Sequence, residues 1–432
     1  MTTTVIKGGT ILDQTGERSG DVLVDALTGT IVEVGPDLSG DVVIDATNCY
    51  VTPGFVDLHA HLREPGNEAA ETIETGSRAA ARGGFTAVVA MPNTNPCMDS
   101  ASVVADVARR AASALCEVLP AGAISLGREG EALSPMAELA GLGVRMFTDD
   151  GRGVQDAGFM RRALEYAGAV GESLGVPIVL AQHCETLSLS AGSSMHEGAV
   201  SARLGLLGQP AESEELMVMR DIALARLTGV RIHFQHLSTA GSIAMVRAAK
   251  AGGLPVTAEV TPHHFTLTDE ACESFDAVYK VHPPLRTAAD VAAVREGLAD
   301  GTIDAIATDH APHTPDAKEM AFDDAPPGML GFETALALAL TELDLPLDQI
   351  IGLLSWRPAM IAGVAERHGC PIVVGQPANI AVVDPTLRWV VDRNNLASKA
   401  RNTPFQDRAL QGKTRHTIYR GVPTVIDGEA TR

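Results

Sequence analysis

Short apolar segments alternate with alanine-rich segments of helical periodicity through the middle of this 432-residue sequence. Eight of the apolar segments have the length expected of strands in a buried parallel sheet. These predicted strands span residues 54–59, 87–91, 117–121, 144–148, 177–183, 231–236, 256–261 and 305–309. Intervening segments such as 160–174 and 214–227 place apolar residues on one helical face. The pattern predicts an α/β protein with a (β/α)8 TIM-like barrel.

Both ends of the chain have a different pattern, in which short β-like segments are broken by Gly, Asp and Pro. Segments 22–24, 31–34 and 42–44 show it near the amino terminus, and 378–384 and 417–421 near the carboxyl terminus. We predict that residues 1–52 and 373–432 together form a small β-sandwich domain. Residues 53–372 would then form the catalytic barrel.

The composition excludes some classes of protein. The chain has 33 basic and 54 acidic residues, a net charge of −21, which disfavours a surface for nucleic acid or an anionic membrane. An anionic substrate would therefore need a cationic side chain close by. The six cysteines are scattered, and we find no secretion signal or membrane-spanning segment. We expect reduced thiols and a cytoplasmic location.

Candidate metal ligands follow five of the predicted strands at their carboxyl ends, where barrel active sites are built. His59 and His61 are two residues apart at the end of the first strand, so both imidazoles can face one ion. The candidates at the ends of the fourth, fifth, sixth and eighth strands are Asp149, Asp150, His183, His236 and Asp309. Their coincidence on one face of the predicted barrel indicates a metal site.

Each of these residues has a simpler explanation when it is considered alone. A single His183 or His236 is more often a buried, hydrogen-bonded histidine than a ligand. Asp149 followed by Asp150 is typical of a turn, and Asp309 could cap a helix. Five independent strand ends make that joint explanation improbable.

Three other histidines lie near the ends of predicted strands and could also belong to the site. His233 also lies near the end of the sixth strand, although in a regular strand it would point away from the side that His236 faces. His263 and His264 follow the seventh strand, and we treat them as structural or supporting candidates.

Six short motifs have an order and spacing that make chance agreement negligible. They are VDLHAHLREPG at 56–66, MPNT at 91–94, FTDDG at 147–151, HH at 263–264, PPLR at 283–286 and ATDHAPH at 307–313. Together they resemble the motifs of the bacterial dihydroorotases, a family of the amidohydrolase superfamily. The resemblance implies that the fold is a (β/α)8 TIM-like metallohydrolase barrel with a small β-sandwich domain. The resemblance covers nearly the whole chain, although enzymes acting on other cyclic amides share the general pattern.

The resemblance implies a zinc site with one or two ions, and two are expected. The implied ligands are His59, His61 and Asp309 for one ion, His183 and His236 for the other, and Asp150 as a bridge between them. Many relatives use a carboxylated lysine as the bridge, but the fourth strand here offers two aspartates and no lysine. The resemblance to the aspartate-bridged subgroup favours Asp150, with Asp149 as its neighbour.

The implied reaction is the reversible closure of N-carbamoyl-L-aspartate to (S)-dihydroorotate with loss of water, a step of UMP biosynthesis. In the hydrolytic direction, hydroxide supplied by zinc attacks the ring carbonyl. Asp309 is the candidate general acid and base that carries the proton to the departing ring nitrogen.

The carboxylate of this substrate predicts a cation in the cavity. Arg63 stands two residues beyond His61, and its planar guanidinium suits a carboxylate. A simpler explanation of this arginine is a surface salt bridge with Glu64 or Glu68. The other substrate contacts implied by the resemblance are His61, Asn93, His282, His313, Pro327 and Gly328. His282 stands where many relatives carry Asn.

Two alternatives remain at this point. Hydantoinases, dihydropyrimidinases and allantoinases share the metal pattern, but their rings lack the carboxylate and they generally lack this arginine. A second alternative is a catalytically silent scaffold that assembles with aspartate carbamoyltransferase, although such a chain would be expected to have lost metal ligands. We expect a homodimer, with aspartate carbamoyltransferase as a possible partner.

Overall fold

Eight short strands alternate with helices in a computed structural model that describes residues 3–432. The barrel strands are, in order, Phe55–Ala60, Phe85–Ala90, Glu117–Pro120, Met146–Phe147, Val179–Gln182, Ile232–Phe234, Val256–Val260 and Ala305–Ile306. Every residue of the first two is buried, as expected where helices cover a parallel sheet.

Each barrel strand pairs in parallel with the next. Strands one to three form one continuous set, and strands four to eight form another. Single parallel bridges join the two sets, one between Gly122 and Phe147 and the other between Ala60 and His310. The sheet is therefore closed, and the carboxyl ends of all eight strands meet at one opening.

The helices end where the sequence provides the appropriate capping residues. Thr72 caps helix Ile73–Gly83 by accepting from the Thr75 amide at 3.2 Å, and Asp156 caps Ala157–Leu174. The other α-helices are Ala101–Arg110, Met136–Gly141, Leu187–Ser190, Ala199–Leu204, Glu212–Thr228, Ala240–Ala251, Ala288–Asp300, Pro315–Lys318, Ala335–Glu342, Leu347–Leu354 and Trp356–Ile361. Short 3-10 helices span Ala111–Ser113, Leu126–Arg128, Asp269–Ser274, Ala277–Tyr279 and Arg393–Asn395.

Strands from both ends of the chain form two packed sheets. The amino-terminal strands are Thr3–Lys7, Thr10–Asp13, Gly16–Ser19, Asp21–Asp25, Thr30–Gly35, Val42–Asp45 and Tyr50–Pro53. The carboxyl-terminal strands are Ile380–Val390, Ala409–Tyr419, Val422–Ile426 and Glu429–Ala430. Outside these two sheets, Met195–His196 and Gly208–Gln209 form a separate two-stranded sheet. In the seven-stranded sheet, Ile380–Val390 pairs with Tyr50–Pro53 and Ala409–Tyr419. Apolar side chains of both sheets share one core.

The structure confirms the predicted barrel and the predicted β-sandwich built from both chain ends. All eight predicted strands are present, with ends that shift by a few residues. The domain boundaries at 52/53 and 372/373 remain a prediction. Within residues 3–432, no helix is both long and apolar enough to cross a membrane.

Candidate metal centre and active site

His59 and His61 lie at the opening of the barrel, where the first strand ends. His61 Nε2 is 3.0 Å from Asp309 Oδ1, and His59 Nε2 is 3.5 Å from the same oxygen. Asp309 follows the eighth strand, so the closure of the barrel brings the two ends of the sheet together. These three side chains offer ligand atoms within 4.8 Å of one another. The geometry matches the first predicted ligand set.

Asp150 lies at the centre of the cluster. Its Oδ1 is 3.3 Å from His59 Nε2, 3.5 Å from His183 Nδ1 and 3.7 Å from His236 Nε2. Its Oδ2 is 3.6 Å from His61 Nε2. One carboxylate thus contacts both predicted ligand sets, as a bridging ligand must.

Asp149 has a different place. Its carboxylate accepts from the backbone amides of Ile124 and Ser125, at 2.8 and 3.0 Å, and from the Ser125 hydroxyl. These bonds hold the loop after the third strand and occupy both oxygens. Of the two aspartates that the sequence offers, the structure brings Asp150 into the cluster.

The unprotonated nitrogens of three histidines face the centre of the cluster. His59 Nδ1 donates to Glu259 Oε1 at 3.1 Å, and His61 Nδ1 donates to Asn93 Oδ1 at 3.0 Å. His183 Nε2 donates to Glu185 Oε2 at 2.8 Å. Each bond fixes the tautomer and leaves the other ring nitrogen free as a ligand.

Two details of the cluster fit a bound cation. His59 Nε2 is buried and has no hydrogen-bond partner among residues 3–432. His183 Nδ1 lies 3.0 Å from His236 Nε2, so without a proton or a cation between them two lone pairs would meet. Burial would raise the pKa of Asp150, but the surrounding imidazoles hold it well below its usual value, so the carboxylate is ionised. Imidazole and carboxylate donors suit Zn²⁺ and similar metals.

The backbone is strained at three of these positions. Arg63, His236 and Asp309 have φ angles of 61°, 32° and 43°, in the left-handed region that non-glycine residues rarely adopt. Such strain persists where the surrounding structure fixes it, and it is concentrated at functional sites. Here it turns the chain sharply at the ends of strands and brings the side chains inward.

Glu259 is a supporting residue that the sequence reasoning missed. Its carboxylate is fully buried in the seventh strand and binds His59 Nδ1 on one side and His233 Nε2, at 3.0 Å, on the other. Burial would raise its pKa, but these two histidines lower it to about 2. His233 therefore lies in this support and His236 in the cluster, as strand parity predicted. An isolated Glu within the apolar segment 256–260 was the signal that could have identified it.

Glu185 supports His183 in the same way and was also missed. Burial would raise the pKa of Glu185, but its bond to His183 lowers it to about 2, so it remains a carboxylate. The signal was its spacing, because a carboxylate two residues after a strand-end histidine can reach back to the outer ring nitrogen.

A cavity of about 180 Å³ opens above the cluster. Its lining includes every residue predicted to contact substrate, namely His61, Arg63, Asn93, His282, His313, Pro327 and Gly328. The structure thus brings all of them to one place, together with four cluster residues, Asp150, His183, His236 and Asp309. Asn93 also donates to Asp150 Oδ2 at 3.3 Å, so it connects the cavity wall to the cluster.

Arg63 points along the cavity wall and forms no surface ion pair. Its Nε donates to the Pro312 carbonyl at 3.1 Å, and its Nη2 is 3.4 Å from His313 Nε2. Glu64 instead pairs with Arg110. Within residues 3–432, no carboxylate pairs with Arg63.

Gly328 lets the loop 325–331 approach this wall closely. Its φ is 144°, and a Cβ there would lie 2.8 Å from the His313 ring and from the Ala311 side chain. His313 also bonds to the Pro327 carbonyl, at 2.8 Å. The loop is therefore held against the segment that follows the eighth strand.

The remaining histidines are placed around the cluster. His282 lines the cavity, its Nε2 is buried without a hydrogen-bond partner in the described residues, and burial lowers its pKa to about 4. His264 bonds to Thr261 and to the Pro283 carbonyl, which supports the structural role predicted for it. His263 is buried beside it.

Comparisons with known proteins agree with this geometry. A family described as dihydro-orotase-like matches residues 49–242. The chain is similar to a dihydroorotase of Pelotomaculum thermopropionicum, 52% identical over 376 residues and 86% of each chain. It is 48% identical to a dihydroorotase of Streptomyces coelicolor over 438 residues, the whole of both chains.

Solved structures show the same fold in more distant proteins. The L-hydantoinase (dihydropyrimidinase) of Arthrobacter aurescens superposes with a TM-score of 0.88 at 23% identity, covering 100% of this chain and 98% of that one. The dihydropyrimidinase of Brevibacillus agri gives 0.85 at 23% identity, over 99% and 96% of the two chains.

The curated relatives, with the barrel and the cluster that this chain shares with their class, show that the chain is an enzyme, a cyclic amide hydrolase. The identity to curated relatives over most of the chain is more specific than the fold. The chain belongs to the dihydroorotase family.

Proposed function

We propose that the enzyme interconverts N-carbamoyl-L-aspartate and (S)-dihydroorotate, with loss or gain of water, in pyrimidine biosynthesis. The observation that carries this proposal is the position of Arg63, a partly buried guanidinium without an acidic partner in residues 3–432, in the same cavity as the cluster. A cation placed in this way favours an anionic ligand. Hydantoin and dihydropyrimidine rings offer no carboxylate, whereas dihydroorotate does.

The proposed cofactor is zinc, with two ions per subunit. His59, His61 and Asp309 would hold one ion, His183 and His236 the other, and Asp150 would contact both. When bound, zinc would supply hydroxide at neutral pH and polarise the ring carbonyl. The central position of Asp150 and the free nitrogen of His59 support this assignment.

Asp309 is the proposed general acid and base. Burial would raise its pKa, but His59 and His61 hold it well below the usual value, so the carboxylate is ionised at neutral pH. In the hydrolytic direction it can accept the proton of the attacking group and deliver that proton to the ring nitrogen as the amide bond opens. Its place both in the cluster and on the cavity wall supports the role.

The proposed substrate contacts divide into two groups. Arg63, Asn93 and His313 would bind the carboxylate. His61, His282 and the backbone of Pro327 and Gly328 would face the ring. His282 stands where Asn is common, and its unpaired buried nitrogen supports a side-chain contact with the ring.

Metal analysis of purified protein, combined with assays against dihydroorotate, hydantoin and allantoin, tests the proposal. We expect about two equivalents of zinc per chain and turnover of dihydroorotate. Ring opening of hydantoin but not dihydroorotate would favour the hydantoinase alternative. An empty site with no turnover would favour the silent scaffold. The homodimer and the aspartate carbamoyltransferase partner remain predictions.

A further inference from the structure

Lys318 ends the short helix Pro315–Lys318, which follows the eighth barrel strand. Its ammonium group donates to three backbone carbonyls. They belong to Ala277 at 2.9 Å, Pro326 at 2.8 Å and Lys280 at 3.3 Å. Burial lowers the pKa of Lys318 to about 7, but three carbonyl acceptors need three N–H donors, and only the protonated ammonium supplies them.

These carbonyls belong to two separate segments of the cavity wall. The first, 277–282, ends in His282, which lines the cavity. The second, 325–328, ends in Pro327 and Gly328, which line it from the other loop. The Gly328 amide also donates to the Lys280 carbonyl at 2.9 Å, so the two segments contact each other where Lys318 binds both.

The side chain itself is absent from the cavity lining of the cluster, as far as the described residues show. It lines a neighbouring cavity, and His313 lines both. Lys318 therefore acts behind the wall and not on the substrate. Its neighbour Lys280 extends the same network, donating to the Asp323 carbonyl at 2.8 Å.

We propose that Lys318 is a positioning residue, which fixes segments 277–282 and 325–328 against each other so that His282 and the backbone of Gly328 face the substrate ring. The inference rests on the substrate contacts proposed above. Three hydrogen bonds from one side chain fix the relative position of the two segments, of which 277–282 has only the short 3-10 helix Ala277–Tyr279 and 325–328 has no regular secondary structure. Without the ammonium, the two segments could take several relative positions, and their contacts with the substrate ring would be weaker on average.

Steady-state kinetics of K318M test this role, with K318R as the conservative variant. Lys250 provides the matched control, because it is also partly buried and bonds to a carbonyl and to Asp304 ahead of the eighth strand, at the opposite end of the barrel. We expect K318M to raise KM for dihydroorotate roughly tenfold, the effect of losing about one hydrogen bond between the displaced wall and the ring, with kcat changed less than about threefold. K318R should recover most of the affinity, and K250M should match the wild type.

A second readout does not depend on turnover. Hydrogen exchange at fixed pH should be faster in K318M than in the wild type at segments 277–282 and 325–328, with the helices of the barrel unchanged. This arm separates the inference from the proposed reaction, because the loops can be measured even if the wild type acts on a different ring.

Three results would overturn the inference. One is a KM for K318M equal to that of the wild type. Another is exchange in the two segments that is unchanged. The third is a K318R variant that is as impaired as K318M, which would show that a cation at this position does not restore the wall. If K318M fails to fold, which thermal unfolding would show, K318Q takes its place in both measurements, with the same expected and contradicting results.

Discussion

Asp150 Oδ1 lies 3.3 Å from His59 Nε2, although Asp150 follows the fourth barrel strand and His59 lies in the first. The same oxygen approaches His183 and His236. One carboxylate therefore connects the two halves of the cluster. A neutral amide would be a poor replacement, because an amide carries no negative charge to bind a metal ion.

The D150N variant should therefore lose bound zinc and at least about a hundredfold in turnover of dihydroorotate. Metal analysis and kinetics on the same preparation check this. D149N is the matched comparison, because Asp149 holds the loop at Ile124 and Ser125. It should mainly lower the thermal unfolding temperature. Full zinc content and activity in D150N would show that the bridge is elsewhere.

Arg63 should govern affinity for the substrate carboxylate. We expect R63M to raise KM for dihydroorotate by about tenfold or more, because a bidentate charge-assisted contact is lost. R110M removes a nearby arginine that pairs with Glu64 and Asp106 outside the cavity, and it should leave KM unchanged. If R63M has wild-type kinetics, the carboxylate binds elsewhere.

Glu259 should act through His59. The E259Q variant retains the size of the side chain but weakens the bond that fixes the His59 tautomer. We expect zinc affinity to fall by about 10-fold to 100-fold, with activity recovering when zinc is added in excess. Competition with a chelator measures the affinity. Zinc binding equal to the wild type would contradict the supporting role.

Much of the fold could be predicted from the sequence. Each barrel strand is a short apolar run between helical segments, and the ligands stand at strand ends, so local pattern and topology locate them together. His59 and His61 illustrate this, since a spacing of two on a strand fixes a common direction.

The supporting contacts could not be predicted in the same way. Glu259 reaches His59 across the barrel interior, and the strand lengths do not determine that distance. The choice between Asp149 and Asp150 depended on where the Ser125 loop folds back. The contacts of Lys318 depend on segment 277–282, whose Ala277 lies 41 residues before it, and no periodicity provides a pattern for that meeting.

Glu117 should make the free energy of unfolding depend on pH in the acid range. Burial would raise its pKa, but hydrogen bonds from His368 and Arg367 lower it to about 2 from the usual 4.5. A lowered carboxylate pKa stabilises the fold above about pH 4.5, and this contribution is lost as the pH falls towards 2. E117Q should therefore cost about 1 kcal/mol at pH 7, and less as the pH approaches 3.

Denaturant unfolding of wild type and E117Q at both pH values measures this difference. E366Q is the control, because Glu366 pairs with the same arginine but is largely exposed. It should change stability little at either pH. A loss in E117Q that is the same at pH 7 and pH 3 would contradict the assignment.

The most direct test of the central claim is the turnover of dihydroorotate by D309N, with zinc content measured in the same sample. Asp309 lies 3.0 Å from His61 and on the cavity wall, and the proposed mechanism requires it for the proton transfer. We predict that the wild type opens the dihydroorotate ring, and that D309N folds as the wild type does but has lost turnover even when it is loaded with zinc. A zinc-loaded D309N that retains wild-type turnover would contradict the account.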